Sequence, residues 1–98
     1  MARKIYISGP ISGHNPDIVK ARFDSVKKIF ENGPFEPISP LENGLPDTAT
    51  WEEHMMQDLS LLSDCDIIYM MKGWQKSKGC QMEFNHAIVN KISIVFEK

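Results

Sequence analysis

Short apolar runs alternate with amphipathic stretches along the chain. Residues 4–8 form a β-branched and aromatic run that ends at Gly9-Pro10, which predicts a buried strand. Residues 65–71 are almost continuously apolar, as expected for a strand that is buried on both faces. Similar runs over residues 35–38 and 92–96 predict two further strands.

Three intervening segments place apolar residues at helical spacing. The first predicted helix starts at about residue 17 and stops at Asn32-Gly33-Pro34, because Gly adopts the C′ conformation readily and Pro cannot continue a helix. Thr50 and Glu53 predict a capping box at the start of a second helix, which runs to about residue 63. A third helix is predicted from about residue 78 to residue 90.

The order of these elements predicts the α/β class, since alternating strands and helices imply a parallel sheet with right-handed crossovers. We expect one domain over residues 1–98, a small three-layer flavodoxin-like or Rossmann-like sheet of four to five strands flanked by helices. Such sheets bind ligands at the carboxyl ends of their strands. Three loops should meet there: residues 9–13, residues 72–79 and the Pro-rich segment before the second helix.

The composition narrows the classes of partner. The 98 residues include 11 Lys and Arg against 13 Asp and Glu, and the formal charge of −2 disfavours a nucleic-acid polymer as the main partner. No apolar run approaches the roughly 20 residues of a membrane span, and the first residues do not resemble a signal peptide. Cys65 and Cys80 are too few for a disulfide framework, and no Cys/His spacing suggests zinc. We expect a cytoplasmic protein with no membrane partner and no bound metal.

Asp58 interrupts the apolar stripe of the second helix. At about 100° per residue it lies about 20° from Trp51, inside the face formed by Trp51, Met55, Leu59 and Leu62. A carboxylate on a core-facing stripe is costly unless it is paired or lines a cleft. Two interpretations stay open: a structural Asp bonded to a neighbouring group, or an acid or base in a half-buried site that raises its pKa.

Glu83 lies at the margin of the apolar stripe of the third helix, near the carboxyl edge of the sheet. It is either a solvated residue on the helix flank or a second carboxylate of the same pocket. Two carboxylates near one pocket suit cleavage of a glycosidic bond, in which one acts on the anomeric carbon and the other protonates the leaving group. Tyr6 on the first strand is either plain core or a residue whose hydroxyl bonds Glu83.

Two loops carry the remaining candidate chemistry. Ser77-Lys78-Gly79 opens the third helix, where a capping Ser, free backbone amides and the helix dipole can hold an anion. The loop Gly9-Pro10-Ile11-Ser12-Gly13 matches neither the dinucleotide fingerprint nor the phosphate loop of NTPases, which argues against both of those classes. His14, His54 and His86 are scattered, and we expect them at the surface or in loops.

These motifs together resemble the nucleoside 2-deoxyribosyltransferase-like superfamily, including its small 2′-deoxynucleoside 5′-monophosphate N-glycosidases. The resemblance covers nearly the whole chain and rests on Ile5-Tyr6-Ile7-Ser8-Gly9, on Gln57-Asp58-Leu59, and on Ser77-x-Gly79-x-x-x-Glu83 followed by Ala87. It implies that Glu83 is the nucleophile, that Tyr6 orients its carboxylate and that Asp58 handles the proton of the leaving base.

The same resemblance implies a phosphate site and a base site. Ser77, where transferases of the superfamily tend to carry Asp, and Gly79 would hold a 5′-phosphate. The substrate site would be completed by the segment after the first strand, which comprises Ser8, Gly9, Pro10, Ile11, Ser12 and Gly13. Lys76 or Lys78 would supply positive charge where the similar hydrolases carry an Arg, and Trp74 or Trp51 would stack on the base.

The function this implies is cleavage of the N-glycosidic bond of a (deoxy)nucleoside or its 5′-monophosphate, with release or exchange of the base and no cofactor. Members of the superfamily complete the site with a neighbouring subunit, so a homo-oligomer (dimer or higher) is expected, packed through residues 55–62. Two alternatives stay open. One is a nucleotide-binding module that sequesters or senses its ligand without turnover, and the other is an unrelated flavodoxin-like interaction domain.

Overall fold

Four parallel strands form the sheet of the computed structural model, which describes residues 3–98. The strands are β1 (Arg3–Ser8), β2 (Phe35–Ile38), β3 (Ile67–Met70) and β4 (Ser93–Phe96). Their order across the sheet is β2-β1-β3-β4, and every neighbouring pair is parallel. The predicted α/β class is confirmed, with four strands.

Three α-helices connect the strands, and each begins at a residue whose side chain caps it. They are α1 (Pro16–Glu31), α2 (Trp51–Ser63) and α3 (Lys78–Val89). Asn15 accepts hydrogen bonds from the first backbone amides of α1, and Ser77 accepts one from Cys80 N of α3. The predicted capping box is present, since Thr50 and Glu53 bond each other's backbone amides. Short 3₁₀ turns lie at Pro40–Glu42 and Trp74–Lys76.

The helices cover the two faces of the sheet unequally. On one face α1 packs alone, and its Val19, Phe23 and Val26 form a buried cluster with Ile7 and Met71. On the other face, α2 and α3 bury a larger cluster that comprises Tyr6, Leu62, Cys65, Ile68, Met70, Cys80 and Ala87. Successive residues of β1 point to opposite faces, so Ile7 and Tyr6 belong to different clusters.

The apolar stripe of α2 is used inside the chain. Met55 and Leu62 are buried in the structure and are not available to a second subunit, whereas Met56 is exposed. The expected subunit contact through residues 55–62 therefore cannot use this stripe. Within residues 3–98, none of the helices combines the length and the apolar composition required to cross a bilayer.

Candidate active site

A cleft of about 510 Å³ opens beyond the carboxyl ends of the strands. It lies where β1 and β3 pair and the connections turn in opposite directions across the sheet, the usual position of ligand sites in open α/β sheets. Its walls come from the loop after β1, from residues 40–47, from the first turns of α2 and from residues 76–83. The predicted convergence of three loops is confirmed for these segments.

The Glu83 carboxylate lies at the floor of the cleft and is only 4% exposed. Tyr6 Oη donates a short hydrogen bond to Glu83 Oε2, and Ser8 Oγ donates to Oε1 over 2.7 Å. Tyr6 and Ser8 are two residues apart on β1, so both side chains emerge on the face that α3 covers. The predicted contact between Tyr6 and Glu83 is therefore present, and each carboxylate oxygen has a fixed donor.

Burial controls the ionisation of this group. It raises the pKa of Glu83 to about 7, and the charge of Asp58 adds to this rise, while the two hydroxyl donors oppose it. Burial, with the neighbouring carboxylates, also raises the pKa of Tyr6 well above its ordinary value, so its hydroxyl stays protonated and remains a donor. Near neutral pH, Glu83 therefore exchanges between a carboxylate and a carboxylic acid.

Asp58 faces the same cleft from the middle of α2 and is also buried. Its Oδ1 accepts a hydrogen bond of 2.9 Å from Asn43 Nδ2, which belongs to the segment between β2 and α2. Burial raises the pKa of Asp58, although the bond from Asn43 and the proximity of His54 oppose the rise. Asp58 and Glu83 thus both hold protons more tightly than exposed carboxyls do.

Asn43 and His54 are site residues that the sequence analysis did not identify. Asn43 Nδ2 lies 3.0 Å from His54 Nδ1, so one amide group joins His54 to Asp58. His54 was expected at the surface or in a loop, but it lies within α2, where its half-buried ring lines the cleft. One signal was available for His54, which precedes Asp58 by four residues and hence shares its helix face.

The start of α3 supplies the polar wall opposite α2. Lys76, Ser77, Lys78 and Gly79 all line the cleft, and Ser77 Oγ caps the helix by accepting from Cys80 N over 3.2 Å. The Lys78 ammonium lies 5.0 Å from the centre of the Trp51 ring, across the mouth of the cleft. This wall therefore combines helix-terminal amides with positive charge.

The other candidate binding residues divide into two groups. Gly9, Ile11 and Ser12 line the cleft, as predicted. Ser8 and Pro10 are buried and do not line it, and Gly13 is an exposed turn residue with a positive φ of 82°. Ser8 thus reaches the site only through Glu83.

Trp74 is not a residue of the cleft, so its predicted stacking on a base is wrong. Its ring stacks on Phe84 with 4.6 Å between ring centroids, and it lies beside Phe96 in a separate depression near the end of β4. The aromatic side chain that does line the cleft is Trp51. Trp74 instead packs against apolar neighbours, Phe84 on α3 and Phe96 on β4.

The arrangement is suited to acid–base and nucleophilic chemistry. In residues 3–98, no group of three or more His, Cys, Asp or Glu side chains is placed to hold a metal ion. A buried carboxylate with two fixed donors and a second carboxyl group with a raised pKa share one solvent-open cleft. Such a pair can supply one nucleophile and one proton donor.

Several solved structures share this fold, among them two that match nearly the whole of this chain. One is a 2-desoxiribosyltransferase from Leishmania mexicana, with a TM-score of 0.76, 19% identity and 96% of this chain covered. The other is a conserved protein from Enterococcus faecalis V583, with a TM-score of 0.72, 19% identity and 98% of this chain covered. This chain spans 63% of the length of each.

A comparison of the sequence with protein families assigns the chain to a family, which the likeness of fold does not do. No curated protein matches the chain in sequence. One family model, in contrast, matches residues 3–96, from the first residue of β1 to the last residue of β4. The chain belongs to the family described as Domain of unknown function (DUF4406).

Proposed function

We propose that this protein cleaves the N-glycosidic bond of a (deoxy)nucleoside or its 5′-monophosphate, with Glu83 as the nucleophile. One observation carries the proposal: a buried carboxylate, fixed on both oxygens by Tyr6 and Ser8, shares a cleft with Asp58. Burying an ionisable pair is costly, so its retention at a ligand-accessible edge favours chemistry over structure. The fold shared with a 2-desoxiribosyltransferase supports the same reaction class.

In the first step, a Glu83 oxygen attacks the anomeric carbon and forms a carbon–oxygen bond. The bond from that carbon to the base nitrogen breaks, and its electron pair leaves with the base. The Asp58 carboxyl group gives its proton to the base, so a neutral base departs and Asp58 becomes a carboxylate. The raised pKa of Asp58 suits a group that must hold a proton before this step.

In the second step, the Asp58 carboxylate takes a proton from water, and the water oxygen attacks the anomeric carbon. The bond to Glu83 breaks, and Glu83 leaves as a carboxylate that Tyr6 and Ser8 stabilise. A second base in place of water, losing its proton to Asp58, would give base exchange. Hydrolysis and transfer thus use the same residues and differ in the acceptor.

The polar wall at the start of α3 is the proposed phosphate site. Ser77 Oγ accepts from Cys80 N and, as a hydroxyl, can also donate to a phosphate oxygen. The first amides of α3, together with Lys76 and Lys78, add positive potential. Trp51, which lines the cleft, takes the base-stacking role.

We further propose that the protein is cytoplasmic and acts as a homo-oligomer, a dimer or larger. The cleft, lined by residues 40–47 and the start of α3, is open to solvent on one side. A neighbouring subunit would exclude water from that side. Light scattering of the purified protein tests this, since a purely monomeric species would contradict it.

The test of function is release of free base from a panel of nucleosides and 5′-monophosphates, with and without a second base as acceptor. Wild type, Glu83→Ala and Glu83→Gln are compared, because Gln can still bond both Tyr6 and Ser8 but cannot attack carbon. Release that is lost in both variants supports the proposal, and base exchange identifies a transferase. Wild-type protein that releases nothing, yet melts at higher temperature with one nucleotide, would instead be a binding module.

A further inference from the structure

We propose that His54 and Asp58 together select bases that present two adjacent hydrogen-bond acceptors, with His54 Nε2–H as the second donor and Asn43 as the positioning residue. The inference rests on the proposed function and names the substrate class of the same site. It follows from the side-chain amide of Asn43, whose orientation determines which partner donates and which accepts in each of its hydrogen bonds.

The orientation of the Asn43 amide is determined by two independent contacts. Its Oδ1 accepts from Leu45 N over 3.0 Å, and its Nδ2 donates to Asp58 Oδ1 over 2.9 Å. Exchanging the two ends would place the NH₂ group against the backbone N–H of Leu45, donor against donor. Because Asn43 is only 7% exposed, water cannot relieve that repulsion.

This orientation fixes the tautomer of His54. The second N–H of Asn43 Nδ2 is directed at His54 Nδ1, 3.0 Å away, so Nδ1 must accept. A neutral ring with an acceptor at Nδ1 carries its proton on Nε2. In residues 3–98, the hydrogen bond of this ring runs through Nδ1, which leaves Nε2–H available in a side chain that lines the cleft.

His54 and Asp58 therefore give the cleft two potential donors on one face of α2. His54 and Asp58 are one helical turn apart, and Asp58 donates when it holds its proton. A 6-oxopurine offers two acceptors on one edge, N7 and O6, whereas a 6-aminopurine pairs the N7 acceptor with an amino donor. Among pyrimidines, cytosine offers O2 and N3 as adjacent acceptors, whereas uracil and thymine pair O2 with N3–H.

The tautomer is tested first, by ¹⁵N–¹H correlation spectra of the imidazole rings in the full chain. The His54 signals are assigned by their loss in His54→Gln, with His14 and His86 as internal controls. The expected result is the Nε2–H tautomer in wild type and a mixture of both tautomers in Asn43→Ala. A wild-type ring protonated on Nδ1 would overturn the inference.

Base selection is tested with two matched pairs, hypoxanthine against adenine and cytosine against uracil. Binding of each free base is measured by calorimetry, which needs no turnover, and base release is measured from the corresponding deoxynucleoside monophosphates. Wild type should prefer hypoxanthine and cytosine by about tenfold or more, the value of one good pair of hydrogen bonds. Equal affinity within both pairs, or a preference for adenine and uracil, would contradict the inference.

Two variants separate a specific role of His54 from a structural one. His54→Gln keeps an acceptor for Asn43 and a donor for the base, so most of the preference should remain. His54→Phe keeps the ring but removes both, so the preference should fall to about twofold or less. A folded His54→Phe protein that retains the full preference would refute the role of Nε2–H. Base release without discrimination overturns only this inference, whereas selective binding of the bases without release overturns only the proposed function.

Discussion

The two faces of strand β1 bury very different side chains. On the face that α1 covers, Ile7 packs with Phe23 and Met71 in a cluster that is wholly apolar. On the face that α2 and α3 cover, Tyr6 and Ser8 are equally buried but turn their hydroxyls toward the carboxylate of Glu83. One strand of six residues thus supports an apolar core and a polar site at the same depth.

The two faces differ in how their contributions to the stability of the fold depend on pH. Burial of apolar area stabilises the α1 face across the usual pH range, because the buried residues of its cluster carry no titratable group. The Glu83 face holds a carboxyl group whose pKa burial raises to about 7, so its contribution changes with pH. The α1 face thus contributes to folding alone, whereas the Glu83 face holds the costly buried group to which the proposed function assigns the nucleophilic role.

The largest expected effect is on activity and falls on the polar face. Glu83→Gln keeps the packing and removes the attacking oxygen, so base release should fall by at least about 10³-fold. The matched control is Glu31→Gln, which changes an exposed carboxylate of α1 and should leave the rate within about twofold. Activity that survives in Glu83→Gln would remove Glu83 from the mechanism.

The next effect is on stability and falls on the apolar face. Phe23 is 2% exposed, so Phe23→Ala should reduce the free energy of unfolding by about 3–5 kcal/mol. Ile29→Ala, on the same helix at 67% exposed, should change it by less than about 0.5 kcal/mol. Urea unfolding measures both, and similar losses in the two variants would contradict the assignment of this core.

The third effect is a gain in stability, whereas most substitutions of buried residues reduce the free energy of unfolding. Folding raises the pKa of Glu83 to about 7, against about 4.3 for an exposed carboxyl. The folded chain therefore binds this proton more tightly, and the stability it contributes is present below about pH 4.3 and lost as the pH rises through about 7. Glu83→Gln should consequently be more stable than wild type by about 3 kcal/mol above neutral pH, with a difference that shrinks in acid.

Unfolding by urea at several pH values measures that difference directly. A variant that is less stable than wild type by the same amount at every pH would show that the Glu83 carboxyl titrates as an exposed group does.

A smaller effect on stability is expected at Gly9, which lies between the cleft and the apolar cluster under α1. Gly9 lines the cleft, yet a Cβ built on it would lie 2.6 Å from Met71 Sδ and 3.2 Å from Phe23 Cζ, both on the apolar face. Gly9→Ala should therefore destabilise the chain by about 1–3 kcal/mol through overpacking. Thermal unfolding tests this, and an unchanged melting temperature would mean that the Met71 side chain moves aside freely.

The smallest predicted effect is a shift in pH dependence. Tyr6→Phe removes a hydrogen bond that favours the ionised form of Glu83, so the pKa of Glu83 should rise further. The acid limb of kcat/KM should move to higher pH, with a loss of about tenfold below neutral pH and a smaller loss above it. A uniform loss at all pH values would indicate that Tyr6 acts through packing rather than ionisation.

The sequence was informative wherever a residue broke a regular pattern. Helix and strand positions follow from periodicity and capping, and Thr50 with Glu53 marks the start of α2 to the residue. Asp58 drew attention because it lies on an apolar stripe, and Tyr6 and Glu83 because a buried hydroxyl needs a partner. Each of these residues lies in a helix or strand, where the regular spacing of side chains tells from the sequence alone which face a residue occupies.

Residues outside regular elements gave no such signal. Asn43 lies in an irregular segment between β2 and α2, so its contact with Asp58 exists only once the tertiary structure brings the two together. The position of Trp74 could not be predicted for the same reason. It lies in the loop after β3, where no regular spacing of apolar residues shows whether a side chain faces the cleft or the core. Even for His54, the helix position was visible, but its hydrogen bond depends on Asn43.

The central claim, that Glu83 attacks the anomeric carbon, is tested most directly by the stereochemistry of the product. Base release from a β-nucleoside monophosphate is run with methanol as acceptor, and the anomer of the methyl glycoside is identified by NMR. Two successive displacements through Glu83 predict retention, and thus the β-anomer. The α-anomer would mean that the acceptor attacks directly, and it would contradict the account, as would a complete lack of product.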